Sequence, residues 1–201
     1  MNDIAFIGDI HGHVEPLVNL LRKVVPQTDK LVFLGDYINR GPNSKAVIST
    51  LIELSTRNDL DCTFLLGNHE EALLRALDTR AIDPFLRIGG ASTILSYLDQ
   101  AEGDVADSFF QSFPPEHWSF LKSLVRVFRT SGLMATHDPK SPGVQKTPNG
   151  VFRIHGHIPQ RGQIPVIEGS TAFIDTGCGT IEGAPLSCLF WPSLTWLQSD
   201  L

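Results

Sequence analysis

The chain lacks most of the features that would take it out of the cytoplasm or onto a polyanion. Its 201 residues include three cysteines, Cys62, Cys178 and Cys188. These are too few and too scattered for a disulfide framework or a CxxC zinc site. Cys62, inside the strand-like run CTFLL, reads as a buried thiol. No apolar run approaches the roughly 20 residues that span a bilayer. Asn2-Asp3 leads straight into a strand-like stretch, where a secretory leader would place basic and then apolar residues. These absences point to a cytoplasmic protein without a membrane partner. There is no block of Lys and Arg, and the formal net charge is −6, which argues against a nucleic-acid partner. No long repeat, linker or low-complexity tract divides the chain. At 42% hydrophobic and 19% charged residues it suits one globular domain over residues 1–201, as a monomer or an oligomer of unknown order.

What is present is a repeating pattern. Short, nearly continuous apolar runs occur at residues 4–7, 31–34, 63–66, 133–135, 152–154 and 172–174, as in strands covered on both faces. Each of the first three is followed by a segment of helical periodicity, at 14–24, 44–54 and 70–77. Pro16 is tolerable in a first turn, Asn43 or Ser44 suits an N-cap, and Glu70-Glu71 favours a helix start. Strand, loop, helix, three times over, predicts an α/β layered fold. Residues 78–124 read as a helical insertion, broken at Gly89-Gly90 and Pro114-Pro115. The last third alternates short strands with Gly and Pro turns and predicts a second sheet packed on the first.

The strand ends carry the chemistry. Asp9-x-His11 places two ligand side chains two residues apart, so that both reach the same way in an extended segment. Asp36 ends a second strand and Asn68 a third, while His137 and His157 follow two more. Carboxylate, amide and imidazole without thiolate suit Mn²⁺, Fe or Zn²⁺ better than a soft metal, and the histidines disfavour Mg²⁺ alone. One carboxylate shared between two ions would hold them roughly 3.5–4 Å apart, the spacing of two-metal hydrolytic sites. A hydroxide bridging such a pair can attack phosphorus in line.

GDIHG (residues 8–12), GDYINRGP (35–42) and GNHE (67–70) resemble the three motifs of the phosphoprotein phosphatase family of metallophosphoesterases. RIGGASTILSY (87–97), PEHWSFLKSL (115–124), GHIP (156–159) and IDTGC (174–178) are similar to stretches of bacterial serine/threonine phosphatases and their diadenosine-tetraphosphatase relatives. The resemblance implies a calcineurin-like fold, a two-sheet β-sandwich flanked by helices. It implies two divalent metal ions, Mn²⁺ first among the candidates. Asp9, His11 and Asp36 would bind one, and Asp36 would bridge to the other, completed by Asn68, His137 and His157. His69 would protonate the leaving group and Arg40 would clamp the phosphoryl oxygens, so that Arg40, Asn68 and His69 face the substrate.

Two departures stand out. The family usually has Asp where this chain has Asn39, and that acid pairs with the histidine of the third motif. Asn39 can hydrogen-bond His69 but brings no negative charge. The His137-to-His157 segment is also short. It leaves Lys140, Lys146 and Arg153 as candidates for a second phosphate-binding cation, and predicts an open groove suited to a phosphoprotein or phosphopeptide. Among the other polar residues, His155 is the less favoured ligand beside His157, and His13 is expected at the mouth of the site. His117 is expected at the surface, and Asp175 beside the ligands rather than among them. Tyr97, Trp118 and Phe120 are expected in the core of the insertion, and Tyr37 in packing.

The first functional expectation is therefore a metal-dependent phosphatase acting on phosphoserine or phosphothreonine in proteins. The alternative is a hydrolase of dinucleoside polyphosphates such as diadenosine tetraphosphate, although no adenine-binding pattern is visible. A third reading, resting on Asn39 alone, is a member that binds phosphoproteins without hydrolysing them.

Overall fold

The computed structural model describes residues 3–98, 103–141 and 150–200. Strands β1 (Ile4–Ile7), β2 (Lys30–Phe33) and β3 (Asp61–Phe64) alternate with helices α1 (Val14–Val24), α2 (Ser44–Ser55) and α3 (Asn68–Thr79). The three strands run parallel, Ile4 opposite Lys30 and Lys30 opposite Asp61, as helical crossovers require. Alternation along them builds two cores. Ala5, Ile7, Leu31 and Phe33 face the helices, while Phe6, Val32 and Leu34 face the second sheet. Helix α1 closes the first core with Leu17, Leu20, Leu21 and Val24. Truncating one such residue, as in Leu31→Ala, would cost about 2–5 kcal/mol.

The insertion holds α4 (Asp83–Leu86), α5 (Ala91–Tyr97), α6 (Val105–Ser112) and α7 (Pro115–Ser123). Tyr97 packs against Phe109 and Phe113, and Phe120 is buried. Two neighbours exchange their expected places. His117 is buried, with Nδ1 2.7 Å from the Tyr97 hydroxyl and Nε2 3.3 Å from Ser49 Oγ. Trp118 is 37% exposed, with the Lys122 ammonium over its ring. A helix buries one stripe, and here the pair of hydroxyl partners draws the histidine into it.

Strands β4 (Phe128–Thr130), β5 (Leu133–Thr136), β6 (Phe152–His155), β7 (Val166–Glu168) and β8 (Thr171–Phe173) form the second sheet, in the order β4-β5-β6-β8-β7. The expectation that the whole last third belongs to it is corrected by β9 (Ser187–Trp191) and β10 (Trp196–Gln198). These return to the first sheet, giving the order β10-β9-β1-β2-β3, with β9 antiparallel to β1. The molecule is a sandwich of two mixed sheets flanked by helices. Among the described residues no helix is long and apolar enough to cross a membrane.

Candidate active site

Strands β1, β2 and β3 of one sheet, and β5, β6 and β8 of the other, are parallel within their sheets. Their C-terminal ends meet along one rim, and every candidate ligand follows such an end. The loops there are wound tightly. His11, Asp36, Asn39, Arg40 and His157 all have φ between 46° and 72°, a region that favours glycine. Hydrogen bonds strap the first two motifs together. Ile10 and His11 donate N–H to the Asp36 carbonyl at 3.0 and 2.9 Å, and Gly12 donates to Tyr37 at 2.8 Å. Gly12 itself has no room for a side chain, since a Cβ would lie 2.8 Å from the Gly41 carbonyl oxygen.

Glu70 anchors the second motif from below. It is fully buried, and its carboxylate accepts the N–H groups of Asp36 (2.9 Å), Tyr37 (2.8 Å), Ile38 (3.2 Å) and Gly67 (3.2 Å). In sequence it looked like an ordinary acid at a helix start, and only the Glu of GNHE marks the position. Burial and the nearby Asp36 charge push its carboxyl up to about 7, against the pull of these donors. Tyr37 packs as expected, its hydroxyl on the Leu65 carbonyl at 2.7 Å.

Two groups of ligand atoms share Asp36. In one, atoms of His11, Asp36 and His69 lie within 4.8 Å of one another; in the other, those of Asp36, His137 and His157 do. The histidines are aimed. His11 Nδ1 donates to the Ile38 carbonyl at 3.1 Å and His137 Nδ1 to the Leu34 carbonyl at 3.0 Å, so each presents Nε2 to the centre. Such carbonyl contacts orient metal-binding imidazoles. Around His137 Nε2 stand Asp36 Oδ1 at 3.3 Å, Asn68 Oδ1 at 3.0 Å and His157 Nδ1 at 3.2 Å. An acceptor surrounded by acceptors calls for positive charge. Burial alone would lower the His137 pKa, but the carboxylates of Asp36 and Asp9 outweigh it and push it up to about 10. Burial would likewise raise Asp36, yet His137, His69 and His11 hold it below the usual carboxylate range.

Asp9, which follows the end of β1, is buried beside this centre. Its carboxylate accepts the His157 N–H, 3.1 and 3.2 Å from its two oxygens, and His69 stands on the other side of His11 and Asp36. Asp9 ties the end of β1 to the turn after β6. Burial, then the charges of Asp175 and Asp36, raise its pKa well above normal. Asp175 is also buried. Its Oδ1 accepts the Gly177 N–H at 2.9 Å while Oδ2 has no partner, and burial raises its pKa to about 6. A bare buried oxygen among acids is what a bound cation would relieve. This donor set, hard and nitrogen-rich, fits divalent metal ions.

His69 is buried against the centre, Nε2 3.7 Å from Asp36 Oδ2. Its Nδ1 lies 2.6 Å from Asn39 Nδ2, and Asn39 Oδ1 accepts from the Thr93 hydroxyl at 2.6 Å. With the amide so oriented, Asn39 donates to Nδ1 and leaves the ring proton on Nε2. Thr93 went unnoticed in the sequence, and nothing local links it to a residue 54 positions away. Ser44 opens α2, but neither it nor Asn43 caps that helix through a side chain. Ser44 Oγ instead accepts the Asn39 N–H at 3.1 Å. The exposed Arg40 guanidinium reaches the Thr180 hydroxyl.

The remaining candidates separate cleanly. His155 bonds Thr136 Oγ1 at 2.9 Å and belongs to neither ligand group. Arg153 alternates with Ile154 of the inter-sheet core, which turns it to the outer face of its sheet and removes it as a phosphate clamp. Lys140 is exposed, its N–H on the Asp138 carboxylate. Lys146 lies outside the described residues. His13 is half-buried at the mouth, as expected.

Fold and rim define a metallophosphoesterase. Residues 3–175 match the calcineurin-like phosphoesterase family, and the chain belongs to it. Among similar proteins is a symmetrical bis(5'-nucleosyl)-tetraphosphatase of Pseudomonas fluorescens, 43% identical over 98 residues. That match covers 48% of this chain and 32% of the relative. A protein of the same name from Cellvibrio japonicus is 33% identical over 132 residues, covering 59% of this chain and 47% of the relative. The matched stretches thus span about a third to a half of those relatives' length. A metallophosphoesterase from Sphaerobacter thermophilus shares the fold, with a TM-score of 0.63 at 16% identity over 98% of this chain and 88% of that one.

Proposed function

We propose that the protein is a two-metal phosphoesterase whose preferred substrates are dinucleoside polyphosphates, ahead of phosphoproteins. The observation that carries the metal chemistry is the pair of ligand groups sharing Asp36. In this reading Asp9, His11 and Asp36 hold one ion, and Asp36, Asn68, His137 and His157 the other, Mn²⁺ being the first ion to try and Fe or Zn²⁺ the next. When bound, the ions supply Lewis acidity toward the phosphoryl oxygens and an activated water. Arg40, on the open side, offers a planar fork to the same oxygens.

The substrate order rests on two supports. The relatives above are named for dinucleoside tetraphosphates, and the His69 environment suits an anhydride. Asn39 brings no charge, and burial lowers the His69 pKa, so His69 serves as a neutral Nε2–H donor to the leaving oxygen. That is weak help for a serine alkoxide. It suffices for a leaving phosphate, which ionises near pH 6.

The test is hydrolysis of diadenosine tetraphosphate and of a phosphoserine peptide by metal-stripped protein with Mn²⁺ restored, beside an Asp36→Asn control. Faster turnover of the dinucleotide, lost in the control, is expected. Preference for the phosphopeptide would restore the protein-phosphatase reading, and turnover by the control would remove the shared-carboxylate centre.

A further inference from the structure

Beside the candidate site lies a hollow of about 400 Å³ between the start of α1 and the loop that follows β8, within the usual range for small-molecule pockets. Its walls are mostly apolar, from Pro16, Ile181 and Ala184, with the His13 ring at one side and the exposed Glu182 on the rim. The loop is built, with Thr180 and Ile181 donating N–H to the Gly177 carbonyl at 2.8 Å each and Ala184 to Ile181 at 3.1 Å. It is also pressed against the first motif. A Cβ on Gly179 would lie 2.6 Å from His11 Cβ and 3.0 Å from His13 Cδ2. Thr180, which lines the hollow, holds the Arg40 guanidinium. The hollow therefore adjoins Arg40, the residue proposed to hold phosphate.

We propose that this hollow receives one nucleoside of the substrate, with the base beside His13 and its amino group toward Glu182. The inference rests on the dinucleoside polyphosphate reading and gives that reading its missing base site. The chemistry of the walls selects the occupant. Among the described residues no Lys or Arg lines the hollow, which disfavours a second phosphate, and its other acid, Asp200, is paired with Lys23 at 2.6 Å. A flat, neutral, weakly polar group fits apolar walls, an imidazole to stack on and a single carboxylate acceptor. A base linked through ribose to a phosphate on Arg40 has that character at the required side of the site.

The experiment is calorimetric binding of adenosine 5'-monophosphate and of ribose 5-phosphate to the full chain with Mn²⁺, which needs no turnover. The base should add roughly tenfold in affinity. Ala184→Phe, which fills the hollow, should erase that advantage while ribose 5-phosphate binds as before. Glu182→Gln, on the exposed rim and harmless to folding, should weaken the nucleotide by roughly threefold and leave ribose 5-phosphate unchanged. Equal binding of the two ligands to the unaltered protein would overturn the proposal. So would a nucleotide advantage that survives both substitutions. Failure of the parent reading looks different: the nucleotide would bind through the hollow while diadenosine tetraphosphate went unhydrolysed.

Discussion

Glu70 and Asp175 are both buried carboxylates beside the same Asp36, yet their surroundings are opposite. Glu70 accepts four backbone N–H groups from the loops that carry the second and third motifs. Asp175 accepts one, and its other oxygen faces the acids with nothing to bond. A carboxylate saturated with backbone donors holds a loop in shape. One left half-bare, next to Asp9, stores unfavourable energy that a cation can release. The contrast separates scaffold from function around one shared neighbour, Asp36.

Removing Glu70 is the harshest way to break this comparison. Glu70→Ala leaves four buried donors without acceptors, and a loss of about 3–5 kcal/mol is expected. Urea denaturation of the metal-free protein measures it; a loss below about 1 kcal/mol would mean that the loop does not depend on this residue. Asp175→Asn should do the reverse. Metal-free stability should hold or rise, while Mn²⁺ affinity falls by about 10–100-fold. An Asp175→Asn protein as unstable as Glu70→Ala would erase the distinction.

A subtler probe concerns Asn39, a polar group held by Thr93 on one side and facing His69 on the other. Asn39→Asp should raise turnover of an alkyl phosphate by about tenfold and of p-nitrophenyl phosphate by less, since the latter's leaving group needs little protonation. Equal gains on both esters would sink the assigned role.

The smallest effect lies in the insertion, where burial lowers the His117 pKa. A histidine whose folded pKa is depressed contributes stability above its unfolded value, near 6.5. That stability is lost as pH falls, because the unfolded chain takes the proton first. The wild type should therefore lose stability below pH 6.5 more steeply than His117→Gln, by at most about 1.4 kcal/mol per pH unit. Parallel profiles would show that His117 titrates normally.

Much of the rim was legible because its signals are local. An apolar run ending in Asp, His or Asn reports both a strand and what stands at its end. The choice of His157 over His155 followed from one Gly-His dipeptide. What escaped depends on distant partners. Thr93 meets Asn39 only after the insertion folds back, and Glu70 is indistinguishable from an exposed helix-start acid until four N–H groups from two loops converge on it. The return of β9 beside β1 is long-range antiparallel pairing, which no short window encodes. The exchange of His117 and Trp118 turned on helix phase, which one residue of drift reverses. The substrate order also changed, since Asn39 argued first only for slower chemistry.

The left-handed turns at His11, Asp36, Asn39, Arg40 and His157 have a consequence for how such a chain can change over time. Glycine would relax the backbone at each of these positions, by about 1 kcal/mol. A copy freed of the demands of the site would gain stability by drifting toward glycine at the very places where these side chains now stand. Side chains standing there, against the preference of their own backbone, are what the proposed chemistry costs the fold.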